Sequence, residues 1–139
     1  MKRILIDTDA ILDFFFDRKP FSEFAAVLLS LCEQNKLKGF VTPVIFSNVY
    51  YLLRQTAKHE KVIKKLSQLL TITDILLMDK GVVIHALNSG YKDFEDALQH
   101  SSCSNDGTID AIITRNIKDF KLSEIAVLTP ENFLATLNV

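Results

Sequence analysis

The chain has 139 residues, 48% of them hydrophobic and 24% charged, enough for one buried core and too apolar for a disordered polymer. Sixteen basic residues against seventeen acidic ones leave a net charge of -1, which excludes a globally cationic nucleic-acid coat and a polybasic membrane anchor. Any charge-driven function is therefore local. No linker, low-complexity tract or internal repeat divides the chain, so a single domain over residues 1–139 is expected.

Arg3–Ile6 is a short apolar run without alternation, as expected of a strand buried on both faces. Met1-Lys2-Arg3 before it starts like a secretory leader, but Asp7 and Asp9 close the apolar run at once. Phe24, Val27, Leu28 and Leu31 then follow the i, i+3, i+4, i+7 rule of a one-sided helix. Gly39–Val41 reads as a second strand, and Thr42-Pro43 joins a capping hydroxyl to a proline suited to a first helical turn. Val62, Leu66, Leu69 and Leu70 mark another amphipathic helix, and Ile72–Leu77 a third strand. Asn105-Asp106-Gly107 stops a later helix, Ile109–Ile113 and Ala126–Leu128 supply two more strands, and Thr129-Pro130 opens a last helix. Strands alternating with helices predict a three-layer α/β/α fold around a central parallel sheet of four to five strands. The longest other apolar stretch, Ala25–Cys32, is broken by Ser30 and falls far short of the roughly 20 residues of a membrane span. Cys32 and Cys103 lack metal-ligand spacing and read as buried free thiols, so no membrane contact and a cytoplasmic location are expected.

In open parallel sheets, sites form beyond the carboxyl ends of the strands where the strand order reverses. Asp7-Thr8-Asp9 follows the first strand, with Asp13 in the helix behind it. A carboxylate there is costly unless it is paired, hydrogen-bonded or metal-bound. Only one of Asp7 and Asp9 is expected to point inward, and a helix cap explains Asp9 the better of the two. Further on, Asp93 and Asp96 stand three apart at a helix start, with His100 one turn beyond and nearest of the histidines to this site. Helix-end electrostatics account for Asp93 and Glu95, whereas Asp96 fits an inward and a solvated position equally well. After the fourth strand comes the polar turn Thr114-Arg115-Asn116-Ile117-Lys118-Asp119-Phe120.

Taken together, Ile6-Asp7-Thr8, Asp96-Ala97-Leu98 and Thr114-Arg115-Asn116-Ile117-Lys118-Asp119-Phe120 resemble, in order and spacing, the PIN-domain nucleases, including the VapC-type toxins of bacterial toxin–antitoxin systems. The resemblance spans essentially the whole chain. It implies an RNA-cleaving hydrolase in which Asp7, Asp96 and Asp119 bind Mg²⁺ or Mn²⁺, hard cations that prefer carboxylate oxygens. It places Asn116 where relatives carry Asp or Asn, and it implies that Thr114 or Thr8 orients a water or a phosphate. Arg115 and Lys118, with Lys121 and Lys92 close by, are the expected phosphate contacts. It also implies a homodimer formed through early helices, to which the aromatics Phe14-Phe15-Phe16, Phe46, Tyr50 and Tyr51 are suited, and a possible antitoxin partner.

One position departs from that pattern. The family's second acid, usually a Glu in the helix after strand two, falls on Asn48, an amide that brings no charge. Fewer charges mean weaker cation binding, so a metal-dependent but weak activity is expected. The rival reading is a PIN-like module that binds RNA or protein without cutting. A haloacid-dehalogenase-type phosphatase opening at Asp7 and Asp9 is a lesser alternative, since Ala10 stands where a Gly is expected. Lys58, Lys61, Lys64 and Lys65 read as a solvated helix face or an RNA-facing rim.

Overall fold

The computed structural model describes residues 1–137. Its elements run β1 (Arg3–Ile6), α1 (Thr8–Phe15), α2 (Phe21–Glu33), β2 (Lys38–Val41), α3 (Pro43–Arg54), α4 (His59–Ile72), β3 (Asp74–Ile75), α5 (Lys80–Leu87), α6 (Phe94–Asp106), β4 (Ala111–Ile113), a 3₁₀ turn (Ile117–Phe120), β5 (Ala126–Leu128) and α7 (Pro130–Ala135). All five strands pair in parallel, in the order β3-β2-β1-β4-β5.

The chain first steps one way from β1 to β3, then returns and continues the other way through β4 to β5. Right-handed crossovers in opposite directions put their helices on opposite faces of a sheet. Accordingly α2 packs with α1, α4 and α7, while α5 pairs with α6. The expected three-layer α/β/α arrangement is present, and the order reverses between β1 and β4.

The central strands are buried as their apolar runs predict: Ile4, Leu5, Ile6, Ile112 and Ile113 are sealed from solvent. The edges are not. Asp74 in β3 and Ala126 in β5 are exposed, because each edge strand has one sheet neighbour and partial cover. The predicted strand Ile72–Leu77 shrinks to Asp74–Ile75: the period of Val62, Leu66 and Leu69 carries α4 on to Ile72, and Leu77 stands in solvent. In α2 the buried stripe is Ala25, Leu28, Leu29 and Cys32, so Val27, placed inside by spacing, faces out; Leu70 of α4 does the same.

The capping residues hold as expected. Thr42 accepts from the Ile45 amide and Thr129 from the Asn132 amide, and Gly107 takes the left-handed conformation (φ 78°) that ends α6. The buried Thr42 hydroxyl also donates to Gln99 Oε1 at 2.7 Å, tying the start of α3 to α6 across the site end of the sheet. Both cysteines are buried free thiols, and burial pushes Cys32 up to about 11. No helix among the described residues is long and apolar enough to cross a membrane.

Candidate functional site

The site lies where the topology puts it, beyond the carboxyl ends of β1 and β4. Asp7 follows β1 directly, its amide donating to the Ile113 carbonyl of β4 at 3.0 Å. Its extended backbone makes it the N-cap of α1, and its carboxylate accepts from the Thr8 amide at 2.8 Å. The expectation that one of Asp7 and Asp9 caps while the other points inward is corrected on both counts. Asp7 caps α1 and also faces the cleft, and Asp9, one helical step in, turns toward β4 rather than capping. Asp9 accepts from the Arg115 amide at 2.8 Å, and the fully buried Thr114 hydroxyl sits between the two carboxylates, 3.0 Å from Asp7 and 3.2 Å from Asp9. Thr114 is thus no free ligand for water or phosphate. Its single proton serves one of the two carboxylates at a time, and its oxygen accepts from the Asn116 amide at 3.1 Å.

A cleft of about 510 Å³ opens over this pair, lined by Asp7, Thr8, Asp9, Asn48, Glu95, Asp96, Arg115 and Asn116 among others. Asp96 comes from the first turn of α6, where Asp93 caps the helix by accepting from the Asp96 amide at 3.0 Å. Of the two positions its spacing allowed, Asp96 takes the half-buried one. Asp119 and Lys118 lie elsewhere. They line a second groove of about 370 Å³ with Asp93, Lys92 and Lys121, and Asp96 is the residue common to both grooves. Among the described residues no three acidic, histidine or cysteine side chains stand close enough together to hold a metal ion. Asp7, Asp96 and Asp119 are therefore not a preformed three-ligand cage.

The electrostatics of the cleft are those of carboxyls pushed toward their protonated form by burial and by one another. Burial first, and the neighbouring Asp9 second, push Asp7 up to about 6 against the pull of the Thr8 amide. Burial and then Asp93, Asp7, Asp119 and Glu95 push Asp96 up to about 7. Asp9 is also raised by burial, and its Oδ1 is buried without a hydrogen-bond partner. Hard oxygen donors that repel one another suit Mg²⁺ or Mn²⁺, which use one or two carboxylates and complete their shell with water and phosphate. On chemistry and on the orphaned oxygen, these residues fit the cation.

These shifts carry a sign for stability. A carboxyl that holds its proton more tightly when folded stabilises the fold fully below the ordinary Asp value of 3.8, and loses that contribution as pH rises through about 6 and about 7. In chelator, the melting temperature is expected to fall across that window. Thermal unfolding at a series of pH values checks it, and a rising melting temperature there contradicts the cause assigned.

Arg115 is more occupied than its sequence suggests. Its Nε and Nη2 donate to the two oxygens of Asp13 at 2.7 and 3.0 Å, and its guanidinium lies over the Phe21 ring at 4.0 Å. Asp13 is wholly buried and also takes Arg18 Nε at 2.9 Å. Sequence reading missed this hub, although Asp9 and Asp13 stand four apart on α1 and so share a face. It missed Glu95 as well, which the helix dipole seemed to explain, yet Glu95 accepts from Asn48 Nδ2 at 2.9 Å within the cleft. His100 lies off the cleft. One turn past Asp96 it is buried beside Tyr91, with neither ring nitrogen hydrogen-bonded, and burial pushes its pKa down.

Three solved structures share this fold. VapBC2 from Rickettsia felis, bound to a DNA fragment from its promoter, matches at TM-score 0.69 and 14% identity over 90% of this chain and 96% of that one. A toxin–antitoxin complex from Klebsiella pneumoniae matches at TM-score 0.68 and 22% identity over 91% and 97%. Mycobacterium tuberculosis VapC20, a Sarcin-Ricin loop cleaving toxin, matches at TM-score 0.66 and 12% identity over 88% and 98%. No curated protein matches the chain. The family model for the PIN domain matches residues 3–118, and the chain belongs to that family.

Proposed function

We propose that this protein is a Mg²⁺- or Mn²⁺-dependent endoribonuclease, acting as the toxin of a toxin–antitoxin pair. The observation that carries the reading is the acid-lined cleft at the β1/β4 switch point, where Asp7, Asp9, Glu95 and Asp96 line one opening and two of them are raised by burial and mutual repulsion. A pure binding surface for phosphate has no physical need of converging carboxylates. The family membership and the likeness to VapC20, a Sarcin-Ricin loop cleaving toxin, support the same reading.

In this mechanism Asp7 and Asp96 are the residues that would hold the cation, and Asp119 acts on Asp96 from the second groove. The cation, when bound, neutralises charge on the scissile phosphate and supplies an activated water. Thr114 and the Arg115 amide keep Asp9 fixed beside Asp7, so the carboxylates do not swing out to solvent. Asn116 and Thr8 present polar groups at the rim for the phosphate, and the free edges of the Arg115 and Arg18 guanidiniums add positive charge there. Lys118, Lys121 and Lys92 line the groove beyond Asp96 and suit the phosphates of a strand running past it. A homodimer and an antitoxin partner belong to the same proposal. Exposed Phe14, Phe16 and Tyr51 support the first, and the toxin–antitoxin assemblies among the similar structures support the second.

The test is RNA cleavage by the wild type with Mn²⁺ and with chelator, beside Asp96→Asn. Cleavage that needs the metal and is lost in the variant is the expected result. Equal residual cleavage by all three samples identifies a non-catalytic RNA- or protein-binding module.

A further inference from the structure

Tyr91, in the loop between α5 and α6, is turned the opposite way from most tyrosines, which bury the ring and keep the hydroxyl in water or on a partner. Its hydroxyl is sealed from solvent without a hydrogen-bond partner, at a cost to folding, while the half-buried residue lines the groove of about 370 Å³ beyond Asp96. What it shows that groove is therefore ring carbon. His100 and Phe120 hold the ring, their centroids 5.4 and 6.3 Å from its own. Exposed Leu122 adds a second apolar surface, and Gly90 has no side chain to fill the space. Lys92, Lys118 and Lys121 also line the groove, and none of them enters an ion pair among the described residues. The acids of the groove gather at its junction with the cleft: Asp96 belongs to both, Asp93 accepts from the Asp96 amide, and Asp119 is near enough to Asp96 to raise it. Carbon surfaces bordered by uncommitted cations fit an aromatic base joined to phosphate.

We propose that this groove is a base-binding subsite: the nucleotide adjoining the scissile phosphate lays its base against Tyr91 and Leu122, and Lys118 and Lys121 take its phosphates. Asp96 is common to cleft and groove, so a strand with a phosphate at Asp7 and Asp96 delivers its next nucleotide here. The ring is fixed before any ligand arrives, so little ordering opposes the contact. The inference rests on the nuclease reading above and goes past it, from phosphate charge to contact with a base. Binding measured without cleavage tests it separately.

The experiment measures binding in chelator, by fluorescence anisotropy, of two labelled oligomers of equal length: oligoadenylate and an abasic ribose-phosphate chain. The wild type is expected to bind oligoadenylate about tenfold more tightly. Tyr91→Ala and, separately, Leu122→Ala remove most of that preference. Tyr91→Phe keeps it and melts at a higher temperature, because the ring stays and the orphaned hydroxyl goes. Lys118→Ala weakens both oligomers alike and lowers the slope of log affinity against log salt by about 1. Thermal unfolding verifies the fold of each variant, and the exposed Leu122 supplies the deciding variant if Tyr91→Ala fails to fold. Equal affinity of the wild type for the two oligomers, binding of neither, or a preference that survives Leu122→Ala overturns the inference. The nuclease reading then stands or falls on metal-dependent cleavage of RNA alone.

Discussion

Asp7→Asn is expected to abolish metal-dependent cleavage while making the metal-free protein more stable. The amide oxygen keeps the acceptor for the Thr8 N–H, and the NH2 that replaces the other oxygen donates to the Thr114 hydroxyl, whose proton then goes to Asp9, so the N-cap of α1 and the β1/β4 end of the sheet survive. What it removes is a negative charge whose pKa burial and Asp9 push up to about 6. At pH 8 the ionised Asp7 therefore works against folding, and a neutral side chain recovers roughly 2 kcal/mol, or about 5 °C in melting temperature. Cleavage falls by about two orders of magnitude or more, since a directly coordinating charge is lost from a site with few of them. Both effects have one cause, a site held ready at the expense of the fold. A variant that melts lower in chelator and still cuts RNA contradicts the assignment of Asp7.

Arg115→Met is the second large effect, and it is expected on stability before activity. Asp13 is sealed inside the protein with Arg115 on both its oxygens and Arg18 on one. Removing Arg115 leaves a buried carboxylate with a single partner that is itself partly in solvent, and methionine cannot donate to it. Losing one member of such a pair costs about 2–3 kcal/mol, at the lower end because both guanidiniums reach water. Adding Asp13→Leu to Arg115→Met should then recover much of the loss, because no buried charge is left unpaired. Chemical denaturation of the single and double variants measures this, and strict additivity of the two substitutions rules out the coupling. The same bracket holds the Arg115 amide where it meets Asp9, so the single variant also loosens the carboxylate pair.

The sheet was legible because its signal is local. Buried parallel strands read as short apolar runs, and Thr42-Pro43, Thr129-Pro130 and Gly107 mark helix ends through their own backbone preferences. The misread portions were those in which neighbours decide. Val27 matches a helical stripe by spacing, but the rotation of α2 is set by what it packs against, and Val27 ends outside. Leu77 looks like strand yet lies at an edge with nothing to cover it.

The candidate site divides in the same way. Asp7, Asp96, Asn116 and Arg115 could be named from motif order, because each directly follows a strand or opens a helix, and all four line the cleft. The partners of those residues could not. Asp9 and Thr114 are 105 residues apart, Asn48 and Glu95 are 47, and Asp13 and Arg115 are 102, so no window of sequence contains these bonds. Asp119 shows the converse, since its motif position drew it into the metal set while the 3₁₀ turn delivers it to the neighbouring groove.

By itself, then, the sequence determined the class of fold, the end of the sheet that bears function and the type of side chain gathered there, because apolar period and capping chemistry act over a few residues. A net charge of -1 reveals none of this, since the acids of the cleft and the arginines bracketed to Asp13 cancel in the sum. Only the tertiary structure decided which carboxylates face one another and which cations are already committed, because those energies depend on distances set by the reversal of strand order between β1 and β4.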